Sequence, residues 1–549
     1  MLHLVLRSLL AAALLAFLPL GASAADTPPT DPCPRPAAGS LIQPPPDLYS
    51  QNGTLNLALS YATTVDSDGR SLFCLTTPDG LGSPTLRVNP GDTLNIALTN
   101  TLPPPPAGSP TEVVSSPPKM CGDTTMTITS VNMHFHGTNT SPSCHGDQVI
   151  HALVNSGETF QYSLQIPANE PPGLYWYHPH VHGVAEASVQ GGASGAIVVE
   201  GIQNFQPAVA GLPERILVIR DQTITGAPTN APDAPADDVS LNYVPIPYPA
   251  LTPAIIEMVP GKPEFWRVAN ASADTFVDLQ LQYDGVPQTL QVVGLDGVPT
   301  GSQDGTGGGT IVTQTDILLA PAGRAEFIVT GPSAQVTKAS LVTLKVDGGM
   351  FGDNTPQRNL ATLQTTANPP ALPVIPPVSG PPGPQRFSSL ARAVPDTTRK
   401  LYFLVAQADP SNPASPLNFY ITVDGATDRV FDPNNPPAIV TTQGSVEDWT
   451  IENRDLAVHA FHLHQIHFLL TAQNGVAVPP SQSQFLDTVT LPAWSGTGPY
   501  PSVTLRMDFR GMDVGDFVYH CHILAHEDLG MMAIIRVLPS PIHTLPGKS

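Results

Sequence analysis

Three stretches of this chain repeat one pattern, a turn followed by an alternating strand that ends in asparagine. They are PGDTLNIALTN (90–100), PGKPEFWRVAN (260–270) and QGSVEDWTIEN (443–453). In each, a glycine precedes an asparagine by nine residues: Gly91 and Asn100, Gly261 and Asn270, Gly444 and Asn453. Apolar and polar residues partly alternate between them, as in a strand with one buried face. The glycines suit a turn with positive φ. Three such matches along one chain predict three copies of a β-sandwich domain. A second echo agrees: GLYWYHPH (173–180) and GDFVYHCH (515–522) both place histidine-X-histidine five residues after a glycine. The segment VIPPVSGPPGPQ (374–385) reads as a proline-rich spacer. These features place domains at 40–200, 205–368 and 395–540, with a linker at 369–394.

Composition strengthens the all-β reading. Sixty-three prolines and 45 glycines among 549 residues suit many short strands joined by turns, because proline is excluded from helix interiors and central strands. A net charge of −22 excludes nucleic acid and anionic membrane surfaces as partners, since both require clustered Lys and Arg. The first residues look like an export signal at 1–24: Arg7, an apolar run from Leu9 to Leu18, then Ala22-Ser23-Ala24. That run is too short for stable membrane insertion, so the expected location is the periplasm or the exterior. In such a compartment Cys33, Cys74, Cys121 and Cys144 would form two disulfides, with three pairings open. Cys121 and Cys144 bracket a histidine pair, which favours Cys121–Cys144 with Cys33–Cys74. Cys521 is left over.

The histidines change the picture most. Sixteen are present, yet none lies between His182 and His459, so the whole middle copy has none. They gather in NMHFHG (132–137), WYHPHVHG (176–183), HAFHLH (459–464) and YHCHILAHEDLGMM (519–532). Alternation along a strand turns residues i and i+2 to one face. His134 with His136, His178 with His180, and His462 with His464 can therefore each converge. In His520-Cys521-His522 the two imidazoles would point one way and the thiol the other. Two imidazoles, a thiolate and a weak methionine make a blue-copper electron-transfer site. Cys521, His526 and Met531 supply three of these, and His459 is the remaining candidate. Zinc is the rival for any Cys/His set, but nothing like CxxC occurs.

With these motifs in view, the chain resembles the multicopper oxidases over nearly its whole length. That resemblance implies three cupredoxin-like Greek-key β-sandwich domains and four coppers per chain. His459, Cys521 and His526 would hold the type 1 copper with Met531 axial, and His134 and His462 the type 2 copper. His136, His178, His180, His464, His520 and His522 would hold the type 3 pair. The implied activity is laccase-like: a small-molecule donor gives single electrons near His459 and His526 at the surface, and O2 becomes water. An axial methionine should lower the potential relative to family members with leucine or phenylalanine there.

Reducing O2 to water also consumes protons, so acids are expected nearby. Asp147, thirteen residues after His134, resembles the family's acid beside the type 2 copper. Glu527, next to His526, resembles an acid that some bacterial members place near the oxygen channel. The bland alternative for each is a solvated loop carboxylate. His182 and His467 exceed the ligand count and read as supporting or packing residues. A periplasmic cuprous or other metal-ion oxidase is the alternative within the family, though the ten methionines are scattered. A non-catalytic cupredoxin scaffold is the alternative of another class; it would be expected to have lost ligands. A copper nitrite reductase would not need the full type 3 set.

Overall fold

Each of the three repeated stretches forms an interior strand: Thr93–Asn100, Pro263–Asn270 and Val446–Asn453. The turn glycines have the expected left-handed φ, +92° at Gly91, +65° at Gly261 and +103° at Gly444. The terminal asparagines are fully buried, and each amide donates to main-chain carbonyls of neighbouring loops. Asn100 reaches Thr129 and Val154, Asn270 reaches Thr275 and Ala320, and Asn453 reaches Ala457 and Pro492. Asparagine recurs because a buried loop carbonyl needs a donor.

The topology around these strands repeats as well. Each pairs in parallel with a strand on one side (Thr54–Val65, Glu214–Thr223 or Thr397–Gln407). Each pairs antiparallel with another on the other side (Thr159–Gln165, Arg324–Thr330 or Ser502–Asp508). The computed structural model describes residues 31–115, 121–224, 234–412, 414–480 and 482–540. The leader expected at 1–24 lies outside them. Three pairs of sheets result: five and four strands, then eight and six, then seven and five. One apolar core lies within each pair. The fold is all-β, three cupredoxin-like sandwiches, and no described helix is long and apolar enough to cross a membrane. Disulfides join Cys33 to Cys74 and Cys121 to Cys144, leaving Cys521 as a free thiol.

The proline-rich stretch is more than a spacer. Ile375, Phe387 and Leu390 are buried, and Ile375 exchanges main-chain hydrogen bonds with Gly211 and Leu212. A buried ion chain runs beneath it from the first sandwich into the second. Arg87 pairs with Glu214 at 2.5 Å, Glu214 with Arg267 at 2.5 Å, and Arg267 with Glu326. Arg267 is fully buried, so Arg267→Met would leave Glu326 without its cation and Glu214 with Arg87 alone. We expect a loss of about 3–5 kcal/mol, read as a lowered thermal or denaturant midpoint. An unchanged midpoint would show the chain to be energetically neutral.

Strand register delivers the histidines. His134 lies opposite His178 and Trp176 opposite His136; His462 lies opposite His520 and Phe461 opposite Cys521. Of the four pairs, only His134 and His136 lie wholly within a strand; the strands carrying His178, His462 and His520 end before the second histidine. Alternation therefore accounts for one pair, and irregular chain at a strand end for the other three.

Candidate metal centres

Strand Gly515–Cys521 runs out at the cysteine, and helix Leu524–Asp528 turns the chain back towards Met531. Both other domains pin that helix. Leu524 N–H donates to the Ala273 carbonyl and Ala525 N–H to Asp274. The Asp528 carboxylate accepts from the N–H groups of Gly183, Ala185 and Glu186. Within this frame Cys521 Sγ lies 3.5 Å from His459 Nδ1 and 3.8 Å from His526 Nδ1, and the two nitrogens are 3.2 Å apart. Three donors at roughly 2.3 Å (sulfur) and 2.0 Å (nitrogen) around one ion would be separated by about 3.7 and 3.5 Å in a trigonal plane. The triangle fits. His459 Nε2 faces Asp455 at 3.2 Å, which frees Nδ1. Met531 is fully buried beside the trio; its carbonyl accepts from Cys521 N–H and its N–H donates to His526. Burial pushes the Cys521 thiol up to about 12, so its thiolate needs a cation for company.

The other eight histidines converge between the first and third sandwiches, every one essentially buried. His134 stacks on His464 with ring centroids 3.8 Å apart, and His136 on His462 at 4.0 Å. His520 Nδ1 donates to the Cys521 carbonyl, leaving a bare lone pair on Nε2. Yet Nε2 of His180 and Nε2 of His464 each lie 3.2 Å from it. One lone pair cannot bond both, whereas a shared cation can. Nε2 of His134, His178 and His462, and both nitrogens of His522, are buried without a hydrogen-bond partner among the described residues. Burial and mutual repulsion hold these rings well below the usual histidine range. Neutral rings with orphaned lone pairs are what a metal cluster requires.

Neither candidate acid is a solvated loop carboxylate. Asp147 is buried, and both its oxygens lie 3.0 Å from His134 Nδ1; it also accepts from Phe135 N–H at 3.0 Å and Gln465 Nε2 at 2.6 Å. Burial pushes it up to about 7. Glu527 is wholly buried and pushed by burial up to about 8; its Oε1 lies 3.5 Å from His182 Nδ1. His182 lies beside Glu527 without a hydrogen bond to it, and His467 donates Nε2–H to the Asp296 carbonyl.

One sequence expectation needs correction. His459 is fully buried with its ring on Phe403, so it does not reach the surface. Only His526 of the trio is partly exposed, its ring against Phe419. Sequence reasoning also missed Asp487, which lies 3.2 Å from His136 Nε2 and pairs with Arg324 of the middle sandwich. The available signal was charge in apolar surroundings, Arg324 and Glu326 in RAEFIV and Asp487 in FLDTVTL.

Comparison with known proteins agrees with this geometry. Family models described as multicopper oxidase match residues 125–204 and 407–541, which hold all ten candidate ligand histidines and Cys521. The chain is 22% identical to a multicopper oxidase of Staphylococcus haemolyticus over 83% of this chain and 81% of that one. It is 24% identical to a laccase of Bacillus subtilis over 67% and 71%. It also shares its fold with a solved Campylobacter jejuni multicopper oxidase described as a metallo-oxidase. The TM-score is 0.65 at 22% identity, covering 92% of this chain and 96% of that one.

Proposed function

We propose, from the premise that the chain belongs to the multicopper oxidase family and is a copper-dependent oxidoreductase with O2 as acceptor, that its electron donors are small phenolic or related organic molecules. In this reading His459, Cys521, His526 and Met531 hold a type 1 copper, and His134 and His462 a type 2 copper. His136, His178, His180, His464, His520 and His522 hold a type 3 pair. Bound copper supplies one-electron acceptance from the donor and the four-electron reduction of O2 to two waters. The chain contributes arrangement. Cys521 is joined to His520 and His522 by one peptide bond each, so the two sets of ligands share a covalent bridge. Asp147 holds the Nδ1 side of His134 and turns Nε2 inward. Glu527, a buried carboxyl beside His182, is the proposed proton source with Asp147.

The observation that carries the organic donor is the pocket onto which His526 opens. Its walls include Phe276, Val458, Ile523 and Phe351, and Phe351 is 72% exposed. An apolar, aromatic rim suits a planar ring. A second reading, oxidation of a metal ion, is favoured by Asp274 and Asp353 in the same pocket. We propose export as well, supported by the leader-like first residues and the two disulfides.

Oxygen uptake with a methoxyphenol in one cell and Cu(I) in another tests this reading. Phenol-driven uptake is expected, with KM raised roughly 10-fold in Phe351→Ala and little changed in Asp353→Ala. Uptake with Cu(I) alone, weakened by Asp353→Ala, would replace the organic donor by a metal ion.

A further inference from the structure

We propose that Arg324, in the histidine-free middle sandwich, is a positioning residue that acts through Asp487 on the copper ligands His136 and His462. The inference rests on reading these histidines as ligands and goes beyond it, because it gives the middle domain a part in the site. Arg324 is fully buried. Its Nη1 and Nη2 donate to Asp487 Oδ1 at 2.7 Å and Oδ2 at 2.5 Å, a two-pronged pairing with one allowed orientation. Its Nε donates to the Leu174 carbonyl of the first sandwich at 3.2 Å. Its own N–H donates to Asp296 Oδ1 at 2.9 Å, and Asp296 Oδ2 accepts from the N–H groups of Asp487 and Thr488 at 3.1 and 3.3 Å. The middle domain thus grips Asp487 by side chain and by main chain.

Asp487 in turn faces two ligands on two different sandwiches. A carboxylate only accepts hydrogen bonds, so His136 Nε2, 3.2 Å from Oδ1, carries the hydrogen and leaves Nδ1 bare. His462 Nδ1 donates to the Asp487 carbonyl at 2.8 Å and leaves Nε2 bare. Both bare nitrogens are buried without a partner among the described residues. Asp487 therefore selects which nitrogen each ring offers, and the selections differ. The carboxylate has competing neighbours, His462 Nδ1 at 3.8 Å from Oδ1 and His467 Nε2 at 3.6 Å from Oδ2. The guanidinium fork holds it against turning towards them. Gly137, immediately after His136, is shaped by the same pair: an added Cβ there would lie 2.4 Å from Arg324 Nη2 and 2.6 Å from Asp487 Oδ2. The chain has given up a side chain to seat the pair.

The test compares wild type, Arg324→Gln and Arg324→Lys after loading with copper. It reads copper per chain, the electron paramagnetic resonance spectrum, and the thermal midpoint of the copper-free protein. A lysine keeps the charge but cannot reproduce the fork, so it separates loss of positioning from loss of fold. We expect both variants to keep the type 1 signal. Affinity for the remaining copper should fall by about 10- to 100-fold, with the copper-free Arg324→Lys melting close to wild type. A folded variant with wild-type copper affinity and an unchanged spectrum would overturn the proposal. So would failure of both variants to fold, which would make Arg324 a folding element. Wild-type protein that takes up no copper beyond the type 1 site would instead defeat the reading of the eight histidines, and it shows before any variant is compared.

Discussion

Cys521→Ser is expected to remove the blue absorption of the copper-loaded protein and to slow donor oxidation by roughly 10³-fold, about 4 kcal/mol in transition-state terms. The thiolate is the only soft ligand in the trio, and soft thiolate selects and tunes this class of copper site. Its sulfur sits 3.5 and 3.8 Å from the two imidazoles that complete the triangle. A serine oxygen is harder, forms a shorter bond and would leave the triangle too wide for an ion to touch all three corners. The fold should survive, because Cys521 is a small buried residue in a strand held by antiparallel pairing on both sides. Copper held by the eight other histidines should survive too, since none of them touches the sulfur. Visible absorption, O2 uptake, the thermal midpoint and copper per chain check the four statements separately. A colourless variant that still oxidises donors at the wild-type rate would remove Cys521 from the electron path.

The second large effect is expected at Asp147. In Asp147→Asn one oxygen is replaced by an N–H donor, while all three partners facing the carboxylate are themselves donors: His134 Nδ1–H, Phe135 N–H and Gln465 Nε2–H. The new N–H faces either Phe135 N–H, a donor, or Gln465, whose amide must turn to offer its oxygen. His134 then keeps one neutral amide oxygen where two carboxylate oxygens lay 3.0 Å away, a weaker hold on the Nδ1 hydrogen that turns Nε2 inward. Residues that orient metal ligands in this way typically cost 10- to 100-fold in metal affinity or activity when changed, and we expect a loss of about that size. Copper content and the paramagnetic spectrum at the site of His134 and His462 are the direct readouts. Full copper with an unchanged spectrum but slowed O2 reduction would leave Asp147 with proton supply alone. No change in either would leave it without a role.

Several features are written in local sequence. The three glycine-to-asparagine stretches fix three like strands because a positive-φ turn and an alternating strand are set by neighbouring residues. The donor set around Cys521 is equally local on its Cys521 side, where His526 follows in one short helix. The four paired-histidine motifs could also be named from spacing and residue type, whereas for the disulfides three pairings are open in the sequence and the structure forms the favoured one. Tertiary structure decided everything that depends on packing between sandwiches. Asp487 and His136 are 351 residues apart, and Arg324 belongs to a domain that the sequence marks by its repeat and its lack of histidine, neither of which points to the site. Nothing periodic links such residues; they meet because three cores bury against one another and each buried charge must find a counterpart. The same holds for access. His459 and His526 look alike as letters, yet Phe403 covers one, while the pocket beside Phe351 leaves the other open to a donor. Ligand identity follows from the order of residues along the chain, whereas exposure and the pairing of charges follow from what the folded sandwiches bring against them.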